Sequence, residues 1–114
     1  MAKAQRYFIT IDDLSRARGS EPSLAFRGES PATLAIELQA ALRDAHLWDR
    51  WRSLQEDPEL VDPLTGATDV TATVTGELAA NRTELQVTTL LPHALIKHRL
   101  DLLVGPNWKL RDVS

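Results

Sequence analysis

ATDVTATVTGELAANRTELQVTTLL, residues 67–91, holds two alternating runs separated by a short polar turn. Over residues 67–78, Val70, Ala72 and Val74 fall on one side and Thr71, Thr73 and Thr75 on the other. Over residues 83–91, Leu85, Val87, Thr89 and Leu91 oppose Glu84, Gln86 and Thr88. A period of two indicates strand, because successive side chains of a pleated backbone point to opposite faces. Residues 79–82, AANR, supply the turn. Two half-apolar strands joined this tightly predict an antiparallel hairpin with one dry face and one wet face. A dry face needs a cover, so the flanking segments decide the fold.

Both flanks offer helices. In ESPATLAIELQAALR, residues 29–43, Ser30 can cap the first turn and Pro31 suits the first helical position, where its missing N–H costs nothing. Leu34, Leu38, Ala41, Leu42 and Ala45 recur at helical spacing. The stripe continues to Trp48, and Asp44 either lies inside one helix reaching to about residue 55 or caps a second one. PHALIKHRLDLLVG, residues 92–105, opens on proline and closes on glycine, with Leu95, Ile96, Leu100, Leu102 and Leu103 as its apolar face.

Three outer segments complete the pattern. RYFITI, residues 6–11, reads as a strand with Tyr7, Ile9 and Ile11 on one side. SLAFRG, residues 23–28, reads as a second short strand carrying Leu24 and Phe26. NWKLRDV, residues 107–113, alternates Trp108, Leu110 and Asp112 against Lys109, Arg111 and Val113. The order is β-β-α-β-β-α-β in one α+β domain spanning residues 1–114. With the first strand set aside as an addition, the remainder has the split βαβ order of a ferredoxin-like sandwich: a mostly antiparallel sheet with helices on one face. That likeness is one of architecture, and many functions use it.

Charge and composition narrow the classes. The chain has 114 residues and a net charge of −3, which disfavours a general nucleic-acid binder. It contains no cysteine, which removes disulfides and thiolate chemistry and suits a reducing compartment. The N-terminal MAKAQRYFITIDD has no apolar core of leader length, and no apolar run is long enough to cross a membrane. The expected location is the cytoplasm. Glu56, Asp57, Glu59, Asp62 and Asp69 gather in one proline-containing stretch and read as solvated loop acids.

The candidate site residues lie in DAHLWDRWRSLQ, residues 44–55. Core packing accounts for both Trp48 and Trp51. The functional reading makes Trp51, with Arg50 or Arg52 and with Leu47 on the same side, an anchor for a protein partner, since tryptophan and arginine are enriched at interface hot spots. A second candidate is an anion or nucleic-acid patch of Lys97, Arg99, Trp108, Lys109 and Arg111. A third is an anion loop built from Arg16, Arg18, Gly19 and Ser20. His93 and His98 are five residues apart and cannot share a metal as an i, i+4 pair can, and His46 with Asp49 is a lone pair. No nucleophile motif appears. The expectation is a non-catalytic domain that binds protein, itself included, with no cofactor and no metal. Nucleotide or single-stranded nucleic-acid binding is the alternative, and a small enzyme using His46 or His93 is the third reading.

Overall fold

A computed structural model describes residues 3–114; Met1 and Ala2, the start of the stretch read for a leader, lie outside the described residues. Four strands form one sheet: β1 (Gln5–Ile11), β2 (Thr73–Ala79), β3 (Arg82–Thr89) and β4 (Lys109–Val113). Three helices pack on it: α1 (Pro31–Arg43), α2 (His46–Ser53) and α3 (His93–Val104). The sheet order is β2-β3-β1-β4, and every neighbouring pair is antiparallel.

The hairpin forms as its alternation requires. Val74, Leu85 and Val87 are buried, and β1 adds Tyr7, Ile9 and Ile11 to the same dry side. The turn has two central residues, Ala80 and Asn81, both at positive φ (51° and 66°). That geometry matches the twist of the flanking strands. α1 covers the dry side with Leu34, Ala35, Leu38, Ala41 and Leu42, while α3 contributes Leu95, Ile96, Leu100 and Leu103. Each such leucine or isoleucine contributes about 1.5–3 kcal/mol by leaving water. Ser30 caps α1 as its hydroxyl predicts, accepting from Thr33 N at 3.1 Å.

Four expectations need correction. Residues 6–11 are not an addition: β1 lies inside the sheet, between β3 and β4. Residues 23–28 are not a strand. Leu24 and Phe26 are buried, but the segment is pinned to the end of α3, where Leu103 O accepts from Phe26 N (2.8 Å) and Gly19 N (3.1 Å). A carbonyl in the last turn of a helix has no partner within that helix, and the loop supplies two. Strand β2 starts at Thr73, not 67, because Asp69 bends the chain: its carboxylate accepts from Thr71 N at 2.9 Å, and Val70 is left 74% exposed. Finally, the register of β4 shifts between Phe8 and Ile9. A bulged extra residue breaks the alternation, so Leu110 and Val113 share a face and Asp112 sits opposite Phe8.

The loop on α3 depends on Gly19. A Cβ at that position would lie 2.1 Å from the backbone oxygen of Leu102. Backbone cannot move aside as a side chain can. Gly19→Ala is therefore expected to lower stability by about 2–3 kcal/mol in a urea titration.

Candidate functional site

Asp44 decides how α2 sits. Its backbone N–H closes α1 on Ala40 O, and its carboxylate accepts from His46 N at 2.9 Å. The chain breaks there, so the region is two helices, and α2 turns its two sides to different neighbours.

One side is structural. The Trp48 indole donates to Thr65 Oγ1 at 3.0 Å and lies on Gly66, where a Cβ would come within 2.7 Å of the ring. Trp51 is half-buried, edge-on to His98 with ring centres 4.4 Å apart. Arg52 donates from Nε to Pro58 O at 3.0 Å and holds its guanidinium 5.8 Å from the Trp48 ring. These contacts close α2 on the 58–66 loop and on α3. Trp51 and Arg52 therefore do not form one surface anchor with Arg50.

The other side opens on a groove of about 620 Å³ between α1, α2 and the 23–27 loop. Its floor is Leu24, Ala41, Leu47 and Leu103, with exposed Ala40 at the edge. Leu47 is 8% exposed, so it lies at the base of the site, not on its surface. The rim carries charges of both signs. Arg27, His46 and Arg50 stand with Asp44 and Glu37 around the opening. Arg27 donates to Pro22 O at 2.8 Å, and Arg50 donates to Ser23 O. Among the described residues, no ion pair involves Arg27, Arg50, Glu37 or Asp44. Glu37 is exposed as a residue, yet the partial burial of its carboxyl pushes its pKa up, with Arg18 pulling the other way. The groove is open to solvent, with polar and apolar lining mixed, and its volume falls in the range of small-ligand sites.

The five residues of the basic patch do not gather on one surface; only Lys109 and Arg111, both on β4, stay together. Arg99 is fully buried, and its guanidinium donates to Thr65 O at 3.0 Å and Ala67 O at 3.3 Å. Lys97 pairs with Asp101 at 2.7 Å, and the Trp108 indole donates to the same carboxylate at 2.9 Å. Lys109 lies 3.7 Å from Asp12, and Arg111 is exposed on the bulge of β4. Nor do Arg16 and Arg18 form an anion loop: Arg16 faces Asp13, and Arg18 turns in to donate to the carbonyls of Leu14, Ala17 and Gly28. His46 stands at the groove, His93 stacks on Tyr7 with centres 6.1 Å apart, and His98 faces Trp51. No group of three or more metal-ligating side chains comes together among the described residues. Among these same residues, no helix is long and apolar enough to cross a membrane.

Comparison with protein-family models, with curated proteins and with solved structures returns no match.

Proposed function

We propose that the chain is a small, non-catalytic binding domain of the cytoplasm whose α2 groove takes a short segment of another protein. The observation that carries this reading is the rim: positive and negative side chains without ion-pair partners encircle one apolar floor. The segment that fits has apolar side chains for the floor, a carboxylate for Arg27 and Arg50, and a cation for Glu37 or Asp44. The architecture is in keeping with this role. The order β2-β3-β1-β4 with crossovers through α1–α2 and α3 supports a ferredoxin-like sandwich, with β1 in the place expected for residues 23–28.

Calorimetric titration with an end-blocked tetrapeptide, two leucines between a glutamate and a lysine, tests the reading. A dissociation constant of about 1 mM is expected for so short a probe. Arg50→Glu should weaken binding at least about tenfold by placing a like charge beside the peptide carboxylate. No heat and no saturation up to several times that concentration, or equal binding by Arg50→Glu, would remove the groove as the site.

A further inference from the structure

The sheet has a second face that no helix covers. The three helices pack on the other side, and the molecule measures only 18 Å along its shortest axis against 44 and 38 Å along the others. From the strand register, Glu77 of β2 lies directly opposite Glu84 of β3 on this face. Like charges placed directly across a strand pair repel. Among the described residues, neither glutamate forms an ion pair. The other half of the face is basic. β1 brings Arg6, and β4 brings Lys109 beside Thr10 and Arg111 beside Phe8, three cations against the acids Asp112 and, just past the end of β1, Asp12. Lys109 also leans on exposed Asp12 at 3.7 Å, a pairing too weak to withdraw it.

We propose that this face binds a second copy of the chain, sheet against sheet, about a two-fold axis that runs along the strands between β3 and β1. That operation lays the acidic β2–β3 half of each copy on the basic β1–β4 half of the other. Glu77 then meets Lys109 and Arg111 of the second copy, and Glu84 meets the same cluster from the neighbouring strand. Phe8 of each copy lies on Gln86 of the other, since the two are register partners either side of the axis. Aligned packing of this kind keeps the strands of the two sheets within about 30° of each other. Two shallow depressions of about 360 and 330 Å³ flank Phe8 and Glu84, room for side chains of the second copy to interlock. Four strands about 4.8 Å apart and five to eight residues long present roughly 400 Å² per copy, so the dimer is weak and reversible. The groove opens in the helical layer, so this association leaves it free.

Sedimentation equilibrium tests the proposal with three proteins: the wild type, an all-basic face (Glu77→Lys with Glu84→Lys), and an all-acidic face (Lys109→Glu with Arg111→Glu). The wild type should dimerise below about 1 mM and lose affinity as salt rises. Each variant alone should associate at least about tenfold more weakly. An equimolar mixture of the two variants should recover the dimer. A wild type that stays monomeric at about 1 mM, or a dimer indifferent to salt and to either charge reversal, overturns the proposal. So does a mixture no better than its components. If a variant fails to fold, the salt dependence of the wild type decides alone.

Discussion

Replacing Asp69 by alanine is expected to lower the stability of the domain by about 3–5 kcal/mol, the largest loss from any single exposed-looking acid in the sequence. Asp69 lies in the acidic run that reads as solvated loop, yet it is only 6% exposed. One carboxylate oxygen accepts from Thr71 N at 2.9 Å and from the Thr71 hydroxyl. The other accepts from the Thr89 hydroxyl and from Leu90 N, both at 2.8 Å. Its own N–H donates to Leu42 O at 2.8 Å. The side chain thus ties the approach to β2 to the end of β3, and the backbone N–H of the same residue holds the last turn of α1. Burial alone would push the carboxyl pKa up. The hydrogen bonds from Thr71, Leu90 and Thr89 outweigh it and hold the group well below the ordinary carboxylate range. The sign follows: the folded state resists the proton more than the unfolded one, so this stabilisation is complete above the ordinary value of 3.8 and is lost as pH falls below it. Urea denaturation of Asp69→Ala at neutral pH measures the loss. Asp69→Asn, which keeps one acceptor oxygen, should fall between the two.

The second large effect is expected at Arg99. Arg99→Ala should cost about 3–5 kcal/mol, by opening a cavity and orphaning carbonyls. No carboxylate faces this guanidinium among the described residues; it is held by Thr65 O, Ala67 O and His98 Nδ1, the last at 3.2 Å. It therefore clamps the 63–67 loop beneath Trp48. The contact with His98 requires a neutral imidazole, because a protonated one has no acceptor nitrogen. Burial lowers the His98 pKa from 6.5, with help from the charges of Arg99 and Lys97 and opposition from Asp101. The unfolded chain then takes up a proton near pH 6.5 that the folded chain still refuses. Stability is complete above that pH and falls as pH drops towards the depressed folded value. Denaturation series between about pH 7.5 and 5 should show this slope in the wild type and a flatter one in His98→Gln. Equal slopes would refute the role of His98. Trp51, 4.4 Å from the His98 ring, gives a fluorescence signal for the same step.

The hairpin was legible because its alternation is undisturbed through all eight residues of β3. α1 was legible because its cap, its proline and its apolar stripe agree. The inward place of Arg99 is legible in the helical period, although its charge argues for the surface. Arg99 stands four residues after Leu95 and four before Leu103, in the middle of the buried stripe of α3, so the helical period places it inward whatever its charge. Residues 23–28 show the converse: a two-residue rhythm that buries Leu24 and Phe26 is satisfied by a loop on the end of a helix as well as by a strand. Period alone does not name the partner of a backbone N–H. Asp69 and the β4 bulge were hidden for a different reason. Both depend on contacts between segments distant in the chain. The groove was half visible. Leu47 and Arg50 stand out in the helical pattern, but Glu37, Arg27 and the 23–27 loop meet them only because the chain breaks at Asp44.

The central claim is that α2 is two-sided: its tryptophan side holds the fold together, and its Leu47–Arg50 side binds. Chemical-shift mapping of the ¹⁵N-labelled protein during titration with the Glu-Leu-Leu-Lys probe tests this most directly. The amides of Leu24, Ala25, Ala41, His46, Leu47 and Arg50 should move together along one saturating curve, while the indole signals of Trp48 and Trp51 stay in place. Shifts centred on the Trp51 indole and His98, with the groove amides still, would contradict it.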